Sequence, residues 1–520
     1  MFLTVFFLCA PLAAETTAFA EEGAGEYDNS GNNTLEMNLV EAISIGLRYS
    51  RQIKTTYMDR VLEKFDLAER RRKFYPNITV EGELDIKTSR TDTDYKEQDA
   101  THEHTESRSA SATPQVVQEL PTGGEIIAKH TLSHAYDWSD DNTARGDAWT
   151  DEGEGSVKFT QPLLKGAGID YNTASLKKTE MESQEAVLRI RDDISAEIVN
   201  IIGAYNSLWK AQKAFESDKK SLADARQQLK INKLLVENGR KPEGEILQAE
   251  ANVARKELSY EQAVNNLDES RRDLLNTLGI KSDKEIMATE EYSFRPNVPD
   301  VDRCLKTARR KNTAIIAARH AVRKKKLDLM QAKRDKLWDL SFESSYTNTS
   351  HNDPDQEYNQ GSWDVGLTLR IPLKFFGGVK YDYERPVLSS RIALDKARIQ
   401  LKEAQSDLKT DVLNMVRNVR YMEKRVELAR KSREIARKNY EMDELKLRLG
   451  RITNNNFTDS QDRLSEAKKT EREAIISYIE AVNSLDKYMG TMLDTYGIEF
   501  EESRPAMEKK YLQDKTWMID

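Results

Sequence analysis

Ile78-Thr79-Val80-Glu81-Gly82-Glu83-Leu84-Asp85-Ile86-Lys87 sets an apolar residue or glycine at every second position and a polar or charged residue between them. Side chains of a strand alternate between its faces, so one face of this stretch is greasy and the other charged. Further along, Leu340, Phe342 and Tyr346 alternate with Ser341, Glu343 and Ser345, and Trp363, Val365, Leu367, Leu369 and Ile371 alternate with Asp364, Gly366, Thr368 and Arg370. Strands of about ten residues with one greasy and one charged face suit a membrane barrel around a watery lumen. A soluble sheet resting on a core fits any single hairpin equally well. Two related hairpins set between very long helices favour the barrel.

The two hairpins are related because the chain is duplicated. Asn38 to Leu84 aligns with Asp300 to Tyr346 at a constant shift of 262, with Ile53 on Ile315, Asp66 on Asp328 and Glu81 on Glu343. The shift then falls to 210, where Val157-Lys158-Phe159 lies on Leu367-Thr368-Leu369, and ends at 211, where Gly239-Arg240 lies on Gly450-Arg451 and Gly279 on Gly490. The drop of 52 marks an insertion in the first copy. The first copy spans 37–280, with strands over about 77–163 and long helices at 169–238 and 243–279. The second spans 300–494, with strands over about 338–372 and long helices at 387–449 and 452–493. Residues 281–299, with Pro296 and Pro299, link them, and 495–520 form a charged tail.

The helices follow from what interrupts the chain. Between Ile169 and Asn238 there is no proline and a single glycine, Gly203. Seventy helical residues extend about 105 Å, far beyond a globular core. Leu208, Phe215, Leu222, Leu229 and Val236 lie seven apart, as do Leu401, Leu408, Met415, Met422 and Ala429, joined by Val412, Val419 and Val426. Such spacing makes coiled-coil seams. With 32% charged and 38% hydrophobic residues over 520 positions, the composition cannot fill the several thick cores that this length would otherwise suggest. A net charge of −8 argues against a nucleic-acid binder working by phosphate neutralisation.

Residues 1–20 read as a secretory signal peptide, with the apolar run Met1 to Ala14 and the small-x-small site Ala18-Phe19-Ala20. Cleavage there leaves Cys304 as the one cysteine, which rules out an internal disulfide. No later apolar run is long enough for a transmembrane helix, so an exported chain of this kind is either soluble outside the cytoplasm or a β-barrel.

From about Leu39 to Leu493 the sequence resembles the TolC-like outer membrane efflux proteins. The marks are the duplication, Pro76 between first helix and first strand, the run Phe159-Thr160-Gln161-Pro162-Leu163-Leu164-Lys165-Gly166, and the hairpin-tip glycines Gly239 and Gly450. The resemblance implies a mainly α fold with a membrane β-barrel. In it, a homotrimer draws four strands from each chain into a twelve-stranded barrel, continued as a helical tunnel across the periplasm of a Gram-negative cell. It also implies partners, namely a periplasmic adaptor and an inner-membrane pump, together with outer membrane lipid. The strand count agrees, because four strands cannot close a barrel alone and open edges are not tolerated in lipid.

Two departures from the family pattern stand out. The insertion reads as an extra hairpin over 107–138, with Leu120-Pro121-Thr122-Gly123-Gly124 as its turn, and it either joins the barrel wall or lies outside it. The acidic aperture of the family, six and nine residues after the second tip glycine, is Asn456 and Asp459 here, with Asp462 one turn on and Glu245 in the first copy. That ring is only partly present. The tips themselves, Asn238-Gly239-Arg240 and Leu449-Gly450-Arg451, are helix reversals, and their likeness to the family's tips implies docking on the adaptor.

No chemistry is expected. His130 and His134 are four apart, which along a strand is about 13 Å, too far for one ion, so neither metal nor cofactor is expected. No nucleotide-binding glycine loop, GxSxG elbow or zinc pattern occurs. The sequence therefore reads as a non-enzymatic exit duct of a tripartite efflux or type I secretion system, a passive conduit energised by the partner pump. The alternatives are the periplasmic adaptor, which needs one helical hairpin and a lipoyl-like domain, and an exported coiled-coil structural protein.

Overall fold

The computed structural model describes residues 34–93, 101–139, 148–280, 285–296, 299–353, 356–371, 379–449 and 451–498. The expected signal peptide, Gly450 and the tail beyond residue 498 lie outside them. The order of elements is β1 (Thr34–Met37), α1 (Leu39–Tyr49), α2 (Arg51–Arg72), β2 (Asn77–Thr93), β3 (Thr101–Glu119), β4 (Glu125–Ser139), β5 (Ala148–Pro162), α3 (Ile169–Asn172), α4 (Ala174–Glu237) and α5 (Gly244–Leu278). It continues with β6 (Glu285–Ala288), α6 (Val301–Lys311), α7 (Thr313–Asp335), β7 (Asp339–Asn352), β8 (Glu357–Arg370), α8 (Val379–Arg448), α9 (Asn454–Met489) and α10 (Met492–Thr495).

The duplication is visible residue by residue. Ser50 breaks the first short helical segment and caps α2, its Oγ accepting from Ile53 N at 3.4 Å. Asn312 does the same for α7, accepting from Ile315 N at 3.2 Å. Serine and asparagine favour this position because their oxygen satisfies a backbone donor that the first helical turn leaves orphaned.

One sheet holds six antiparallel strands in the order β2-β3-β4-β5-β7-β8. This corrects the four strands per chain that the family resemblance implies. The inserted hairpin is β3 and β4, and it lies within the sheet, β3 paired with β2 and β4 with β5. An inserted hairpin brings two rows of backbone donors and acceptors, and pairing on both sides satisfies them. Its polar borders lengthen the strands, so that β2 has 17 residues and β3 has 19.

The chain folds as two units. The first comprises residues 34–42, 207–276, 280 and 285–291 among those described. The region read as a linker supplies β6, which pairs parallel with β1. Trp209 Nε1 donates to the Glu290 carbonyl at 2.8 Å and Gln212 Oε1 accepts from Ala288 N at 3.1 Å, which fasten this small sheet to α4. Beyond it α4 and α5 pair through Leu222, Ala263 and Leu267, all buried, the Phe215–Tyr260 ring contact at 5.7 Å, and the ion pairs Arg226–Glu257 and Lys233–Glu250.

The second unit holds the large sheet and the remaining helices. Its core includes Leu408, Val412, Val416, Val419 and Val426 of α8 against Ala474, Ile475, Tyr478 and Leu485 of α9, with Cys304, Ala308 and Ile315 from α6 and α7. The seven-residue spacing of Val412, Val419 and Val426 keeps one stripe of α8 on its partners. Glu471 is buried there and answered by Arg430 at 3.5 Å and Arg433 at 2.8 Å, which offsets its desolvation.

Candidate channel wall and hairpin tips

Directly opposed residues of antiparallel strands share a face. On that rule, Ile78, Val116, Ala128, Val157, Tyr346 and Trp363 form one continuous row across all six strands. The next row is Thr79, Gln115, Lys129, Ser156, Thr347 and Ser362. One row is wholly apolar and the other wholly polar. The apolar face also carries Val80, Leu84, Ile86, Leu132, Phe342, Val365, Leu367 and Leu369. Its outer members are bare, with Leu84 87% and Trp363 74% exposed. A contiguous apolar patch of this size on one side of a sheet marks a membrane surface.

The polar face is knitted by cross-strand ion pairs, Lys129–Glu154 at 3.1 Å and Lys158–Glu343 at 3.3 Å. Aromatic pairs border the apolar band: Tyr136 on Trp149 at 4.6 Å and Tyr346 on Trp363 at 4.9 Å. His134 stacks on Trp149 and pairs with Asp151, so it belongs to the aromatic rim of the band. These pairings were not legible in the sequence, because they depend on register between strands far apart in the chain. Where the sheet meets the helices, Tyr171 donates to Asp335 at 2.5 Å, and burial followed by this bond pushes its phenol up to about 12.

The two tips are built alike. At the first, Gly239 takes φ +69° in the left-handed region, and Arg240 N donates back to Leu235 O at 2.8 Å, closing the end of α4. At the second, Arg451 N donates to Lys446 O at 2.8 Å, the equivalent bond at the end of α8. Asn238 Nδ2 donates to the Leu234 carbonyl at 2.6 Å, while Arg240, Leu449 and Arg451 are exposed. Beyond Leu449, sequence reading missed the apolar residues around both turns. Leu234 and Leu247 are exposed at the first, and Met442 and Leu445 beside Leu449 at the second. On α8 the exposed Tyr421, Leu428, Ile435, Met442 and Leu449 repeat every seven residues, a second stripe distinct from the buried one.

Of the aperture residues, Asn456, Asp459 and Asp462 are exposed on α9. Glu245 is tied to Lys241 at 3.1 Å, whose ammonium also donates to Asn232 at 3.3 Å. Near the second tip, Asp443 accepts from Ser460 and Lys446, which hold its carboxyl below the usual carboxylate range.

The sequence model described as outer membrane efflux protein matches residues 128–280 and 304–491. No curated protein sequence matches the chain. Among solved structures, the fold is similar to the CmeC outer membrane channel of Campylobacter jejuni, with a TM-score of 0.60 and 12% identity over 92% of this chain and 89% of that one. It is also similar to the open state of the MtrE outer membrane channel of Neisseria gonorrhoeae, with a TM-score of 0.59 and 12% identity over 88% and 89%. A third is the outer membrane protein VceC of Vibrio cholerae, with a TM-score of 0.55 and 15% identity over 89% and 97%. The duplicated helix–strand–helix unit, the two-faced sheet and a family match over most of the chain agree, and the protein belongs to the outer membrane efflux protein family, as a channel of the outer membrane that extends into the periplasm.

Proposed function

We propose that three copies of this chain form the exit duct of a tripartite export system, serving efflux or type I secretion. The observation that carries this reading is the six-stranded sheet, apolar on one face, ion-paired on the other and open at both edges. Such a sheet is a fragment of a water-filled wall and needs further copies to close. Transport through the duct is passive, and the energy comes from an inner-membrane pump. The tips dock on a periplasmic adaptor through Asn238, Gly239, Arg240, Leu449, Gly450 and Arg451, with the exposed leucines beside them as the apolar part of the contact. Asp459, helped by Asp462 and Glu245, lines the periplasmic aperture, and Asn456 weakens that ring. The adaptor and structural-rod readings are disfavoured by the sheet, which neither needs. The test is purification from outer membranes in detergent. A trimer that co-purifies with a periplasmic protein, and loses it when Arg240→Glu and Arg451→Glu are combined, is expected. A soluble protein, or co-purification unchanged by both reversals, would overturn the duct or the docking reading respectively.

A further inference from the structure

The edges of the sheet are β2 and β8, and in one protomer both faces of each stay exposed along the described stretches. Six strands are too few to close on themselves in lipid, where the smallest barrels have eight. β2 leads away from the helices and β8 leads back to them, so the two edges run antiparallel. A ring of copies can therefore join β8 of one to β2 of the next through the same kind of ladder that links the strands within the sheet. The faces match across such a joint, apolar against apolar and polar against polar.

We propose that the homotrimer closes by this β8–β2 pairing into a barrel of eighteen strands, a second copy of the chain occupying each edge. The inference rests on the trimeric duct proposed above and departs from the twelve strands that the family resemblance implies. The additional strands are β3 and β4 of each copy, paired on both sides and therefore part of the wall.

The register supports closure. Followed straight across the sheet, Asn77 leads through Val117, Ile127, Lys158 and Ser345 to Asp364, six residues short of Arg370, where β8 ends. Strand ends thus slip by roughly 20 Å along the strands over about 24 Å across them. With Asp364 set opposite Lys87 of the neighbouring copy, a path straight round the wall climbs ten residues per copy, about 33 Å over about 29 Å, which inclines the strands by about 49°, at the steep end for membrane barrels. At this tilt, eighteen strands enclose a backbone radius of about 21 Å, against about 14 Å for twelve.

Charge favours one joint over those shifted toward the start of β2. One register sets Arg370 opposite Glu81, Asp364 opposite Lys87, Leu367 opposite Leu84 and Val365 opposite Ile86 of the neighbouring copy. Shifting it by two or four residues toward the start of β2 sets Asp364 against Asp85 or Glu83, and like charges directly opposed destabilise a sheet.

Disulfide trapping and electron microscopy of the full-length protein test this. Leu367→Cys is combined in turn with Val80→Cys, Gly82→Cys, Leu84→Cys and Ile86→Cys, with the unsubstituted protein as background. Oxidised trimers are expected to run as covalent trimers on denaturing gels, most completely for Leu84→Cys. Micrographs in nanodiscs should count eighteen strands, and graded polymers entering from the outer side should show a cut-off radius about 7 Å larger than that of a twelve-stranded wall. A native trimer without cross-links at any of the four positions, or with twelve strands in its wall, overturns the eighteen-stranded barrel and leaves the duct reading intact. Native mass of two copies, or no membrane-embedded oligomer, overturns the trimeric duct itself.

Discussion

Gly279 and Gly490 occupy equivalent places in the two copies and adopt the same left-handed backbone, φ +71° and +72°. A Cβ on Gly279 would lie 3.1 Å from the Tyr49 carbonyl oxygen, and one on Gly490 would lie 2.9 Å from that of Lys311, the residues that end α1 and α6. Gly239 has a similar φ but open space around it. Gly239→Ala should therefore cost about 1 kcal/mol from backbone strain alone, and Gly490→Ala more, because backbone must also move. Thermal denaturation in detergent should rank the two in that order, and the reverse order would refute the contact. Asp486 offers a residue-scale test in pH. Burial raises its carboxyl above the ordinary value, while the Thr491 and Thr495 hydroxyls at 3.1 and 3.0 Å pull it part of the way back. Its folded value lies above its unfolded value. In the acidic window between them the folded chain holds a proton that the unfolded chain has released, so stability falls as pH rises through that window. Asp486→Asn should flatten this fall in the melting temperature measured from below pH 4 upward, and an unaltered slope would contradict the assignment.

At the scale of elements, the recurrent device is a polar cap at a break between two helices. Ser50 and Asn312 each end one helix and start the next, and each also reaches across to another element, Ser50 to Glu197 at 2.7 Å and Asn312 to the Tyr488 carbonyl at 3.0 Å. Ser50→Ala and Asn312→Ala should each lower stability by about 1 kcal/mol or somewhat more, read as a shift in the denaturant midpoint. A neutral result for both would mean that tertiary packing alone holds these breaks. The long helices follow another logic. In α8 one seven-residue stripe is buried against α9 and another, from Tyr421 to Leu449, stays exposed in the protomer. Periodicity told that α8 packs, and only the structure told which stripe α9 covers.

For the whole molecule, the two faces of the sheet make the sharpest demand. Leu367 lies on the apolar face and its neighbour Thr368 on the polar one. An arginine on a lipid-facing position near the midplane costs about 2–4 kcal/mol, so Leu367→Arg should strongly reduce heat-resistant oligomer in the outer membrane while Thr368→Arg leaves it near normal. Equal tolerance would contradict the assignment of faces. Asp459 belongs to this scale as well, since its proposed role exists only where copies converge. Asp459→Asn should lower cation selectivity in single-channel recordings, because a ring of like carboxylates favours cations at a narrow passage. Unchanged selectivity would place it on a solvated outer face of α9.

What the sequence determined by itself was local or periodic. Alternation in Ile78 to Lys87 made a two-faced strand, seven-residue spacing along 408–429 made a packed helix, and constant shifts of 262 and 211 exposed the duplication. Each is a property of near neighbours, and the backbone geometry of strands and helices turns it directly into structure. The number of strands in the wall was not of this kind. Whether β3 and β4 stand in the sheet or beside it depends on pairing partners up to tens of residues away, and an alternating hairpin reads the same in either place. The apolar row from Ile78 to Trp363, the ion pairs Lys129–Glu154 and Lys158–Glu343, and the seat of Gly490 on Lys311 were likewise decided by tertiary structure. They arise from register and from contacts between residues far apart in the chain, which no single stretch encodes.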